Sequence, residues 1–291
     1  MQWPEDHPLH LDGALAVHRD AASSLCDSVV PGARLVEELR SVAGRRVVSL
    51  LLDGDRFVVC KVFKSPRARG NHRRLTELKR SPAAPIVPQT LGVDSTGHVW
   101  LVEHLAGSTW DECDDDRFVG AAETLGRALR SLHTSGAELD RAWTIDDELT
   151  QLTRRAPEAT AAAVADICVR VERLGACRGP LVSGHRDCHP KQAVVDDGGT
   201  VRWIDLDDAA MAPAGLDLGN MIGHLWRDLV LGRRPVEVCA AAIDGVLAGY
   251  AAIPEDLELW VELSMLRLAG LATTRHGHPE WTDAILGELA G

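Results

Sequence analysis

No basic stripe offsets the acidic side chains of this 291-residue chain: 43 Asp and Glu outnumber 31 Lys and Arg, leaving a formal net charge of -12. A protein that wraps DNA or RNA neutralises phosphates with clustered Lys and Arg, so no nucleic-acid partner is expected. No CxxC spacing occurs among the seven cysteines, at positions 26, 60, 113, 168, 177, 188 and 239. Their odd number and spacing suggest neither a zinc ribbon nor a paired disulfide framework. No uncharged apolar stretch reaches the roughly 18 residues of a membrane-spanning helix. The opening MQWPEDHPLH has no basic segment leading into an apolar run. Repeats and low-complexity segments are missing too. The expectation is a soluble cytoplasmic protein with reduced thiols and no membrane partner.

What is present is an ordinary globular composition, 45% apolar and 25% charged, which excludes disorder. The length allows one large domain or two modest ones, each with its own core. From about Arg45 to Glu103 the pattern is strand-like. VVSLLL, the turn-former DGD at 53 to 55 and RFVVCKVF read as a β-hairpin, and HVWLVEHL at 98 to 105 reads as a later strand. NHRRLTELKR at 71 to 80 places Leu75 and Leu78 at helical spacing, and SPAAP ends it. Past a linker near Glu103 to Thr109 the chain turns helical, with apolar residues three and four apart over 121 to 133, 156 to 175 and 235 to 253.

One segment breaks that helical half: GHRDCHPKQAVVDDGGTVRWIDLDD, from Gly184 to Asp208. Asp187 and Gln192 fall on a loop entering the strand AVV, DDGG forms a turn, and TVRWIDL returns. Such a hairpin brings Gln192 and Asp205 to one end. Mg²⁺ prefers hard oxygen ligands and is held by one or two protein groups plus substrate phosphates, which suits a carboxylate and an amide oxygen. Asp187 is then left to face a substrate hydroxyl as base or orienter.

The order His185, Arg186, Asp187, Gln192, Ile204, Asp205 resembles the catalytic loop and metal-binding segment of kinases, in the form used by the aminoglycoside phosphotransferase family. RALRSLH at 127 to 133 is similar to the Leu-His helix end that precedes this loop there. LDLGN at 216 to 220 resembles the family's structural Asp, carried by Asp217, and VVCKVF puts Lys61 inside a strand, where the kinase fold keeps a phosphate-contacting lysine. The resemblance implies an α+β, two-lobed, protein-kinase-like fold. A small β-rich nucleotide-binding lobe would span 1 to 104, and a mainly helical catalytic and substrate-binding lobe 105 to 291. It also implies ATP or GTP with Mg²⁺. Asp187 is then catalytic, Gln192 and Asp205 hold the metal, Lys61 contacts phosphate, and Glu103, His104 and Leu105 meet the nucleotide base through their backbone. His185 and Asp217 support the loop. The acceptor is a hydroxyl of a small molecule. A cationic antibiotic of the aminoglycoside kind comes first, and a metabolite of the choline, homoserine or sugar type is the alternative.

Several positions depart from the family pattern. Gln192 replaces the usual Asn, and Arg186 stands where most antibiotic kinases have Gly. Only twelve positions separate Asp205 from Asp217, too few for the activation segment of a protein kinase, which excludes protein substrates. Gly44 is the single glycine where a phosphate loop carries three, and Glu77 is the one candidate partner for Lys61. A metal-dependent hydrolase built on His185, Asp187 and His189 is a competing reading, because alternation could aim an HxDxH cluster at one ion. A kinase-shaped protein that binds nucleotide without transfer is another. The acidic run WDECDDDRF at 110 to 118 reads as a solvated helix start, Cys188 as a small buried side chain, and HGHPEW at 276 to 281 as a turn.

Overall fold

The computed structural model describes residues 1–290, and the chain divides into two compact units, Met1–Ala106 and Gly107–Gly291. In the first unit three short helices, α1 (Pro8–Leu11), α2 (Gly13–Ala16) and α3 (Arg19–Val29), lead into strands β1 (Arg34–Val42), β2 (Arg46–Asp53) and β3 (Arg56–Phe63). Helix α4 (Ala68–Arg80) and strands β4 (Thr90–Val93) and β5 (Val99–Glu103) complete it. The strands form one antiparallel sheet in the order β1-β2-β3-β5-β4. The DG turn closes the β2–β3 hairpin as its sequence predicts: Asp53 pairs with Arg56, and Gly54 takes φ +64°, a left-handed conformation that costs glycine nothing.

Alternation along β3 decides which side chains join the core. Val58, Cys60 and Val62 pack with Leu51, Val99 and Leu101 and with Leu15, Ala22 and Cys26 of the helices. Lys61 therefore lies on the opposite face, among Val59 and Phe63. Strand β1 carries no alternating pattern; it is a largely exposed edge strand whose pairing with β2 shifts register twice.

In the second unit the elements run β6 (Ser108–Thr109), α5 (Asp115–His133), α6 (Ile145–Arg155), α7 (Glu158–Leu174), β7 (Leu181–Gly184), β8 (Ala193–Val195), β9 (Val201–Trp203) and β10 (Ala210–Pro213). Four helices follow, α8 (Ala214–Val230), α9 (Val236–Tyr250), α10 (Leu257–Leu271) and α11 (Pro279–Ala290). Two small sheets, β6-β8-β9 and β10-β7, sit among the helices and carry the loops of interest. The acidic run does open a helix: after a single 3-10 turn at Trp110–Glu112, the Asp114 side chain accepts the Arg117 N–H and caps α5. Of HGHPEW only Gly277, φ +68°, and His278 form a connection, because His276 closes a π-helical turn over Ala272–His276 and Pro279 starts α11.

Helices α5 and α9 pack closely through glycines, and so do α8 and α10. A Cβ on Gly126 of α5 would lie 2.1 Å from the Val246 carbonyl oxygen of α9, and one on Gly219 of α8 would lie 2.5 Å from the Trp260 Cβ of α10. Among the described residues no helix is long and apolar enough to cross a membrane.

Candidate active site

Strand β7 ends at Gly184, and the next three residues form a loop held from beneath by one carboxylate. Asp217, in the first turn of α8, is 1% exposed. Its Oδ2 accepts the His185 N–H at 2.6 Å, its Oδ1 accepts the Arg186 N–H at 2.6 Å, and Oδ2 lies 3.0 Å from His133 Nε2. His133 in turn reaches the Tyr250 hydroxyl through Nδ1 at 2.8 Å. Burial pushes the Asp217 carboxyl up, but the His133 hydrogen bond and charge, with His185, outweigh it and hold the acid below its ordinary range.

The His185 ring is fixed as firmly as its backbone. Nε2 lies 2.8 Å from the Ile204 carbonyl oxygen, and Nδ1 accepts the Asp187 N–H at 3.3 Å. That pairing places the ring proton on Nε2 and ties the loop to the end of β9. Arg186 adopts φ +69°, the left-handed region that glycine occupies without strain, which gives a physical reason for Gly at this position in the resembling enzymes. Here the Arg186 guanidinium stacks 3.6 Å from the Trp143 ring centroid.

Asp187 comes next, with 42% of its side chain exposed. His189 Nε2 lies 3.8 Å from its Oδ2, and Arg267 Nη1 of α10 lies 3.8 Å from its Oδ1. These separations are charge contacts rather than hydrogen bonds. Burial raises the Asp187 carboxyl, yet His189, Arg267 and His185 together hold it well below the usual carboxylate range. The group is an ionised acceptor near neutral pH.

The hairpin of β8 and β9 pairs Ala193 with Trp203, and the Ile204 N–H donates to the Gln192 carbonyl at 2.9 Å. Gln192 and Asp205 thus stand at the same open end, one position apart across the ladder. The Gln192 side chain is buried, with Nε2 3.3 Å from His189 Nε2, so its other amide atom, Oε1, is the one turned from the histidine. Asp205 sits at φ +55°, ψ +43°, a conformation Asp tolerates better than most residues. A carboxylate and an amide oxygen at one hairpin end form the hard, sparse donor set that suits Mg²⁺ completed by phosphates and water.

In the first unit Lys61 is 8% exposed, pairs with Trp100 across β3 and β5, and holds Nζ 5.5 Å from that ring. Glu103 ends β5; its N–H donates to the Gln89 carbonyl at 2.8 Å and its Oε2 accepts the Gln89 N–H at 2.7 Å. His104 is half-buried, and burial lowers its imidazole. Leu105 is 5% exposed. Glu77 forms an ion pair with Arg80 at 3.1 Å on the surface of α4, and Gly44 takes φ +62° with its N–H 2.5 Å from Asp12 Oδ2.

The HxDxH reading loses its basis. Both ring nitrogens of His185 are committed to the backbone, and the His189 ring stacks on His224 with centroids 4.7 Å apart. Among the described residues no group of three or more His, Cys, Asp or Glu is arranged to hold a metal ion. Alternation fails here because residues 185 to 189 are loop, not strand. Cys188 is fully buried, and burial raises its thiol. Arg267 escaped the sequence reading because a single Arg on α10 stands in no motif; Asn220, the last residue of LDLGN, was visible but without a role.

A profile of the phosphotransferase enzyme family, APH, matches residues 36–260. Solved structures share the fold. An aminoglycoside phosphotransferase of Streptomyces rimosus is 18% identical, covering 87% of this chain and 98% of its own, with a TM-score of 0.63. The same enzyme is also known with ADP and streptomycin, at a TM-score of 0.61. A choline kinase of Streptococcus pneumoniae is 12% identical, covering 94% and 99%, with a TM-score of 0.66. No curated protein matches the chain in sequence.

Proposed function

Starting from a chain that belongs to the APH phosphotransferase enzyme family and is a small-molecule kinase, we propose that it moves the γ-phosphate of ATP to a hydroxyl held at Asp187. The observation that carries this reading is the doubly anchored loop. Asp217 fixes the backbone of His185 and Arg186, and His185 fixes Asp187, so one partly exposed, ionised carboxylate is presented on a rigid base.

Phosphoryl transfer asks mainly for positioning and charge neutralisation. Asp187 orients the acceptor hydroxyl and takes its proton late, a task that tolerates a weakly basic carboxylate. Gln192 and Asp205 would hold Mg²⁺, which when bound neutralises charge on the phosphates. Lys61 contributes a positive charge toward the nucleotide, and the backbone of Glu103 to Leu105 reads its base. GTP would satisfy the same backbone groups.

A cationic antibiotic as acceptor is supported by the net charge of -12 and by the streptomycin bound to one of the neighbours. A choline-like metabolite is supported by another neighbour. The test is a transfer screen against hydroxylated cations, sugars and hydroxy acids, read as the compound that gains phosphate mass. Asp187→Ala should abolish transfer while nucleotide still binds, whereas Asp205→Ala should weaken metal-nucleotide binding as well. Equal activity in either variant would overturn the assignment.

A further inference from the structure

A hollow of about 350 Å³, counted out to the space it shares with solvent, opens in the second unit beside α6, α8 and α10. Glu148, Arg186, Asn220, Trp260, Ser264 and Arg267 line it. Arg267 joins the hollow to the proposed reaction centre: one end of its guanidinium faces Asp187 Oδ1 at 3.8 Å, and Nη2 donates to Asn220 Oδ1.

The polar atoms of the lining divide unevenly. Among its acceptors, Asn220 Oδ1 takes Ser264 Oγ at 3.0 Å together with Arg267, and one carboxylate oxygen of Glu148, Oε2, takes Trp143 Nε1 at 2.9 Å. Two buried donors of the lining have no partner. Asn220, 3% exposed, has no partner for Nδ2, and Arg186 has none for Nε. A buried donor without a partner is costly, and what satisfies it is an acceptor oxygen. Further guanidinium groups crowd the same region. Arg155 is held below the ordinary guanidinium range by burial and then by Arg154, Arg275 and Arg267, against the opposing pull of Glu148. The buried His224 is lowered by burial and by the charges of His189, Arg227, Arg267 and Arg233. Asp228 pairs with Arg227 and Arg233, which leaves Arg186 and Arg267 as the guanidinium groups that line the hollow itself, beside Glu148.

Resting on the phosphotransferase reading, we propose that the acceptor is a compact alcohol carrying an oxyanion, a carboxylate or a phosphate ester, held by Arg267 and Asn220 with its hydroxyl toward Asp187. A polycation meets the guanidinium groups of Arg186 and Arg267 there, the wrong complement. Guanidinium is also the group that grips carboxylate and phosphate through paired N–H donors. In the reaction the bond between the γ-phosphorus and the β-bridging oxygen of ATP breaks and a bond from the acceptor oxygen to that phosphorus forms. The hydroxyl proton passes to Asp187, and ADP leaves with the bridging electrons.

The test uses the full chain, glycerate and glycerol 3-phosphate as the two oxyanionic probes, and choline, streptomycin and glucose as the cationic and neutral ones. Binding is read by calorimetry and transfer by phosphate mass, in the native protein and in Arg267→Gln and Arg267→Lys. The expected result is binding of at least one oxyanionic probe, weakened roughly tenfold to a hundredfold in Arg267→Gln and less in Arg267→Lys, with transfer confined to that class. Binding to the carboxylate but not the phosphate, or the reverse, identifies which oxyanion is taken. Oxyanion binding with transfer to no compound upholds the pocket chemistry and overturns the kinase reading. Binding and transfer only with choline, streptomycin or glucose overturns the inference and leaves the kinase reading standing. Binding of no oxyanionic probe, or binding indifferent to both Arg267 variants, also overturns it.

Discussion

Asp187 and Asp217 lie thirty positions apart in sequence and do opposite work. Asp217 is buried and accepts from two backbone N–H groups and a histidine, so Asp217→Ala strands three donors and should cost about 3 to 5 kcal/mol. Asp187 keeps 42% of its side chain exposed and makes only charge contacts at 3.8 Å. Its replacement by Ala should change stability by less than about 1 kcal/mol. Denaturant unfolding of the two variants compares them directly, and a similar loss in both would show that the loop is not built as described. At this scale the sequence was informative wherever spacing followed chain geometry. The hairpin pattern brought Gln192 and Asp205 to one end, while Asp217 was found only through the family resemblance of LDLGN. It was silent on Arg267, which reaches Asp187 only through the packing of α10. It named Arg186 as a departure without the reason, its φ of +69°.

Elements formed by their own turn chemistry were legible, whereas elements formed by packing were not. The β2–β3 hairpin follows from DGD, and α5 follows from its apolar spacing and acidic cap. Strand β1, RLVEELRSV, has helix-favouring Leu, Glu and Arg and becomes a strand only as an edge paired to β2. Helix α8 contains Gly215, Gly219 and Gly223, each unfavourable to a helix by propensity, yet required by the approach of Trp260 and Ser264. This yields a prediction of opposite signs within one helix. A Cβ at Gly120 of α5 meets nothing within 4 Å, so Gly120→Ala should stabilise by up to about 1 kcal/mol. At Gly126 it meets the Val246 carbonyl at 2.1 Å, so Gly126→Ala should destabilise by about 1 to 3 kcal/mol. Unfolding midpoints that move the same way in both variants would contradict the close α5–α9 contact.

Across the whole molecule, burial, the largest cause in each case, lowers the imidazoles of His7, His18, His72, His104, His224 and His276. The unfolded chain takes up these protons near pH 6.5, while the folded chain resists until lower pH, so folding stability is full above about pH 6.5 and falls as pH drops below it. Denaturant unfolding should show lower stability at pH 5.5 than at pH 7.5, with protons taken up on unfolding; equal stability at both would contradict it. Net charge is a coarse guide at this same scale: -12 is compatible with cationic acceptors, but a total says nothing of where guanidinium groups collect. Family membership and fold together place the chain among small-molecule phosphotransferases.

The central claim, that Asp187 presents a hydroxyl to the γ-phosphate of ATP, is met most directly by measuring phosphate transfer and nucleotide affinity in the same preparations of the native protein and Asp187→Ala. The account predicts transfer in the native protein, its loss by a factor of at least about a hundred in the variant, and nucleotide binding unchanged in both. Transfer persisting in Asp187→Ala, or nucleotide affinity falling in step with activity, would contradict it.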